Sequence, residues 1–316
     1  MQVWAMCFCV LFILMQPSKS FRLESVQSES SASSQVKKPD AYADREQKVQ
    51  RCLLEVKQNP QSAEAYYELG VAYYRQNALS GEQARSALKE ALRLRPDYAE
   101  AYNALGWILL NPSLYSGLFV YKEDISDAME AVRVFKKAVR FKPDYAEAYI
   151  GLGMAQRKQG DYDDSIAACK KAISLESDYV YYDQLSVSYT CIGEINAAIE
   201  SKKEAIRLRL KGSHTTHIDI YLPIEPNDLL RNWEALGNLF NKASRYDEAI
   251  EAYKQALAIN PDEPSLHHHL GLMYYAVGNK DLAYNEYIFL VNHYENANKD
   301  SGLYRHFAED LYQRIK

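Results

Sequence analysis

Residues 231–261, RNWEALGNLFNKASRYDEAIEAYKQALAINP, decide the fold. Trp233, Leu236, Gly237 and Phe240 fall at i, i+3, i+4 and i+7, which is one face of an α-helix. A polar turn, NKASRYD, follows. Ala249, Tyr253 and Ala256 then share one face of a second helix that Pro261 closes. The large residues fill space, while Gly237, Ala249 and Ala256 are small enough to let two helix backbones come close. Each helix is short and apolar on one side only, so the pair cannot bury its own face and needs neighbours.

Outward from this stretch the same order recurs. Tyr66, Leu69, Gly70 and Tyr73 precede Ala84, Leu88, Ala91 and Pro96, and Tyr102, Leu105, Gly106 and Leu109 precede Ala131, Phe135, Ala138 and Pro143. A third unit has Tyr149, Leu152, Gly153 and Gln156, then Gly160 at the turn, Ser165, Cys169 and Ala172, with Ser177 in the place of Pro. The fourth is the most degenerate: Tyr182, Leu185, Ser186 and Tyr189, then Gly193, Ala198 and Ala205, with Ser186 for Gly and Lys202 where an aromatic is usual. The sixth, after the opening stretch, has His267, Leu270, Gly271 and Tyr274, then Gly278, Ala283, Tyr287 and Leu290. Insertions near 111–126 and 211–230 interrupt the series and are candidate contact elements. Residues 41–60, with Val49, Leu53 and Val56 on one face, predict a lead-in helix. Residues 298–316, with Leu303, Phe307 and Leu311 inward, predict a closing helix that covers the last unit.

The W-x2-L-G-x2-Y … A-x3-F … A … P order resembles the tetratricopeptide (TPR) repeat. The resemblance covers residues 61–297 as six units and implies an all-α, right-handed superhelical solenoid of antiparallel helix pairs. In that family the first helix of each unit lines a concave groove that receives a peptide or a partner protein. Carried over residue by residue, the groove of this chain presents Tyr67, Val71 and Tyr74, then Asn103, Trp107 and Leu110, then Ile150, Met154 and Arg157. The fifth unit contributes Glu234, Asn238 and Asn241, and the sixth His268, Leu272 and Tyr275. Trp107, Tyr67 and Tyr74 are the expected apolar anchors, and Asn103, Asn238 and Asn241 the expected readers of a peptide backbone. Some family members grip a terminal carboxylate with a Lys/Asn/Arg clamp. Here Tyr67, Val71, Glu147 and Gly151 stand at those positions and only Asn103 fits, so that mode is not expected.

The chain has 316 residues, 47% hydrophobic and 25% charged, enough to bury a sizeable core. Its net charge of −5, with no basic stripe, argues against nucleic acid as a partner. Tyr is abundant at 26 against 9 Phe and 3 Trp, and an apolar ring with a polar tip suits both half-buried helix faces and contact surfaces. No G-x-x-x-x-G-K-[ST], G-x-G-x-x-G or G-x-S-x-G is present, and Gly151-Leu152-Gly153 reads as helix packing, so neither catalysis nor a cofactor is expected. His267, His268 and His269 point about 100° apart on a helix and cannot close on one ion. His214 and His217 lack a third ligand, so no metal is expected either.

At the amino terminus an apolar run from Val3 to Met15 is shorter than the ~20 residues of a membrane span but fits the core of a secretory signal peptide. Ser18 and Ser20 give a small-x-small pattern before Phe21, although the leading segment has no Lys or Arg. Residues 1–20 are therefore read as a signal peptide of an exported, periplasmic or secreted protein with no membrane span after cleavage. An uncleaved amino-terminal anchor is the alternative. Residues 21–40, rich in Ser and Gln, read as a flexible linker. Cys52, Cys169 and Cys191 remain after cleavage; Cys169 and Cys191 lie in successive helices, and both a disulfide and separate buried thiols stay open. The expected function is a non-catalytic scaffold that binds a peptide segment or partner protein in the groove, in envelope assembly or secretion. The alternatives are a regulatory subunit of an enzyme docking through its insertions, and a metal- or ligand-binding accessory protein. The oligomeric state is open.

Overall fold

The structure, a computed structural model, describes residues 41–76, 81–110, 125–212, 228–296 and 302–316. The expected leader and linker, most of both insertions, and His214 and His217 lie outside the described residues. Within them the chain forms fourteen helices and no strand. A first helix, α1 (Ala41–Gln58), precedes six pairs: α2 (Ala63–Gln76) with α3 (Gly81–Leu94), α4 (Ala99–Leu110) with α5 (Ile125–Phe141), α6 (Ala146–Gln159) with α7 (Tyr162–Leu175), α8 (Tyr179–Cys191) with α9 (Ile195–Leu210), α10 (Asp228–Lys242) with α11 (Tyr246–Leu257), and α12 (Pro264–Ala276) with α13 (Lys280–Asn296). A last helix, α14 (Gly302–Ile315), follows. This is the all-α solenoid of helix pairs that the resemblance implies.

Local chemistry sets the reversals. Gly160 ends α6 at φ +89°, where a side chain would be strained, and its N–H returns to the Arg157 carbonyl at 3.0 Å. Asp178 starts α8 by accepting the Val180 N–H at 2.7 Å. Between helices the small residues of the motif permit close contact. A Cβ on Gly106 would lie 2.6 Å from the Phe135 ring and one on Gly151 2.3 Å from it. The ring of α5 is therefore held between the backbones of α4 and α6.

The interior is two apolar cores that meet at the fourth pair. One runs from Tyr74 to Leu185 and contains Leu88, Trp107, Phe135 and Ile150. The other runs from Ala198 to Ala283 and contains Leu236, Phe240, Tyr253 and Leu270. Between them the degenerate unit is polar inside. Ser186 donates to the Ala198 carbonyl at 2.8 Å, and Ser165 and Ser188 share a hydrogen bond at 2.8 Å. Buried Lys202 pairs with Asp183 and reaches Asn232 Oδ1 at 3.5 Å. The repeat thus keeps its geometry where Gly and the aromatic are missing by exchanging van der Waals filling for hydrogen bonds.

Both ends are covered. Val49 and Cys52 of α1 pack with Leu69, Ala72 and Ala87, and Leu311 and Ala308 of α14 pack with Leu290. Cys52, Cys169 and Cys191 are free thiols, the first two buried, and burial pushes the Cys169 thiol up to about 11.

Candidate functional site: an acidic, tyrosine-walled cavity on the first-helix face

The first helices touch one another, α4 meeting α6 and α6 meeting α8 with α2 against α4, whereas among the described residues the second helices of these units touch one another less. The layer therefore bends around α2, α4, α6 and α8, which form its inner face. There the first turns of these helices and the loops before them enclose a cavity of about 510 Å³. Among the described residues its walls include Tyr67, Tyr145 and Tyr181, and its polar lining is Glu100, Asp144, Glu147 and Glu176 against a single amine, Lys142.

These groups are held in place from behind. Asn103 donates to Glu147 Oε1 at 2.8 Å and to the Tyr145 hydroxyl at 3.1 Å. The Tyr181 hydroxyl donates to Glu176 at 3.3 Å, and Lys142 reaches Glu100 at 3.1 Å while lying 4.5 Å from the centre of the Tyr145 ring. Tyr67 leans on Tyr98 with centroids 5.1 Å apart, and burial pushes its hydroxyl up to about 12. Burial likewise pushes the Glu147 carboxyl up to about 7, against hydrogen bonds from Asn103 and Trp107 and the charge of Lys142, with Glu176 adding to the rise.

This carboxyl makes stability depend on pH. Its folded value near 7 lies above the ordinary 4.5, so the stability it contributes is full below about pH 4.5 and is lost as pH rises through 7. Glu147→Gln removes that penalty. Urea unfolding is expected to show a gain on the order of 3 kcal/mol over wild type at pH 8 and little gain at pH 4. An equal change at both values would contradict the burial account.

Of the groove residues that the sequence predicts, Tyr67 lines the cavity, and Val71, Met154, Arg157, Glu234, Asn238 and Asn241 are half-buried. Arg157 donates to Gln184 at 3.0 Å, and Asn238 accepts from the Tyr253 hydroxyl at 2.7 Å. Tyr275 is 39% exposed. Tyr74, Asn103, Trp107, Leu110, Ile150 and His268 require correction, because all six are buried and none presents a free surface. Trp107, at 0% exposure, stands edge-on to Phe135 with centroids 5.7 Å apart. The close approach of α4 to α6 turns residues one step off the packing stripe into core. His268 is covered by α14, bonding Asp310 at 2.7 Å and stacking on Phe307 at 4.6 Å.

The other two histidines diverge as the helix angle requires. His267 bonds Glu286 at 2.6 Å and the Pro261 carbonyl at 2.8 Å, and His269 stacks on Tyr253 at 5.4 Å. Among the described residues no group of three His, Cys, Asp or Glu side chains could hold a metal ion. The residues that sequence reasoning missed are Lys142, Tyr145, Glu176 and Tyr181. A line-by-line comparison of the unit boundaries, where basic residues give way to Glu176, would have found them. A second recess of about 520 Å³ lies between α9, α10 and α11, with Trp233, Leu236 and Phe240 in its apolar wall.

Models of the tetratricopeptide repeat match residues 55–82, 80–112 and 146–179, and a TPR repeat model matches residues 237–278. Among curated proteins no sequence matches this chain. Among solved structures it is similar to the APC/C hetero-tetramer Cut9–Hcn1, with TM-score 0.55 at 18% identity over 86% of this chain and 46% of that one. This chain thus spans less than half the length of that relative. It is also similar to Pseudomonas aeruginosa pilF, with TM-score 0.54 at 17% identity over 78% of this chain and 97% of that one. A third likeness is to YrrB, described as a TPR protein with an unusual peptide-binding site, with TM-score 0.52 at 15% identity over 71% of this chain and 99% of that one.

Proposed function

Because the chain is a tetratricopeptide-repeat protein, we propose that it is a non-catalytic scaffold that holds a segment of a partner protein against the inner face formed by α2, α4, α6 and α8. The observation that carries this reading is the cavity lined by residues of the first helices of four successive units. Repeat stacking alone does not call for such a space. Tyrosine walls supply contact area at low entropic cost, and carboxylates supply orientation. Export is part of the proposal: the run from Val3 to Met15 is read as a leader, and among the described residues no helix is long and apolar enough to cross a membrane. Work in envelope assembly or secretion is the proposed setting.

Photocrosslinking tests the reading. A benzophenone side chain at Tyr67 is expected to form adducts with polypeptide. One at Met129, 62% exposed on α5, is expected to form none. Equal adducts from both positions, or none from Tyr67, would contradict it.

A further inference from the structure

The first two units of this chain carry their own cation at one place in the repeat, as the fourth does with Arg209, and the third carries an acid there. In RPDYAEAY, residues 95–102, Arg95 reaches back 2.7 Å to Glu64 and lies 3.5 Å over the Tyr98 ring. In KPDYAEAY, residues 142–149, Lys142 reaches back 3.1 Å to Glu100 and lies over the Tyr145 ring. In both, the cation that ends a unit meets the glutamate from the first turn of that unit's first helix and the tyrosine that begins the next. Glu147 is the same glutamate in the third unit: Glu64, Glu100 and Glu147 each stand in an Ala-Glu-Ala-Tyr run. The residue at the cation's place is Glu176, in Glu-Ser-Asp-Tyr.

The consequence is local. Glu147 is 7% exposed and makes no ion pair among the described residues, whereas its two counterparts are far more exposed and paired. Across the cavity it faces a second carboxylate, Glu176, which Tyr181 holds. Asn103, wholly buried behind Glu147 and Tyr145, keeps a carbonyl oxygen with no hydrogen-bond partner among the described residues. Two carboxylates and aromatic walls lining one cavity suit a cation carried on an apolar stem.

We propose that this cavity receives one lysine or arginine side chain of the protein segment held on the inner face, the partner giving Glu147 the cation that Arg95 gives Glu64 and Lys142 gives Glu100, while the tyrosine of this boundary, Tyr179, is met by Arg209 at 4.9 Å. This rests on the scaffold reading above. The ammonium or guanidinium lies between Glu147 and Glu176, and its methylenes lie against Tyr67, Tyr145 and Tyr181.

The test is selection of a random dodecapeptide library on the folded full-length chain, followed by binding of the selected peptides as synthetic molecules. Peptides sharing a Lys or Arg are expected, and replacing that residue by norleucine is expected to weaken binding by about tenfold or more. The Glu147→Gln/Glu176→Gln pair is expected to lose the same factor. Glu176→Lys, which installs the chain's own cation, is expected to raise the melting temperature and abolish the basic preference. Peptides that bind with no basic preference, or equally well to the double variant, overturn this inference and leave the scaffold standing. A folded chain that enriches no peptide overturns the scaffold reading and the inference with it.

Discussion

Replacing Phe135 with alanine is expected to lower the unfolding free energy by about 3–5 kcal/mol. The ring is wholly buried, lies against Gly106 and Gly151, and meets Trp107 edge-on at an interplanar angle of 83°. It is one residue of α5 serving as the common filling between α4 and α6. Neither glycine has a side chain that could move into the space left behind, so the cavity stays open and the cost falls at the upper end for an aromatic truncation. The inner-face site is built on those same two helices. The loss should therefore also loosen the hold of Asn103 in α4 on Glu147 in α6. Urea denaturation at neutral pH checks the value. A loss below about 1 kcal/mol would mean that α4 and α6 close over the gap, contrary to the packing described.

A change in the fourth unit should cost as much by a different route. Asp183→Ala leaves the Lys202 ammonium buried with only Asn232 near it, and an uncompensated buried charge costs about 3–5 kcal/mol. Lys202→Met removes the charge and restores an apolar filling at the position where other units carry Leu88, Phe135 or Tyr253. Asp183, with 24% of its side chain exposed, stays hydrated once the amine is gone, so this variant is expected to lose far less stability than Asp183→Ala. Since the two apolar cores meet at this unit, Asp183→Ala should also split unfolding into two steps. A single transition with both variants equally destabilised would show that shape rather than charge governs the site.

The repeat was legible because its physics is local. Gly106 and Phe135 stand where helical spacing and the need for a small residue opposite a large one put them, and the helix pairs follow from that. The side chains beside the stripe were not legible in the same way. Trp107 and Ile150 read as surface because periodicity describes one helix, while their burial depends on how many helices surround α4 and α6; α4 contacts α2, α3, α5 and α6. His268 was unreadable for a similar reason, since α14 returns over it from far along the chain. The candidate cavity was half-visible. The absence of Pro at Ser177 draws the eye as a loosened helix end. The change that matters is at the neighbouring residue, where Glu176 takes the place held by Arg95 and Lys142. Its meaning appears only when the loops before α6 and α8 are seen to meet the first helices of four units around one space.

The central claim is that a partner segment lies on the first-helix face over α2, α4, α6 and α8. Photocrosslinking from three positions of the folded full-length chain, in the presence of a library-selected peptide, tests it most directly. A benzophenone at Tyr67 faces the inner cavity, one at Met129 lies on α5, and one at Gln255 borders the recess between α9, α10 and α11. The account predicts peptide adducts from Tyr67 alone, suppressed in the Glu147→Gln/Glu176→Gln background. Adducts from Gln255 with none from Tyr67 would contradict it and move the contact surface to the Trp233 recess.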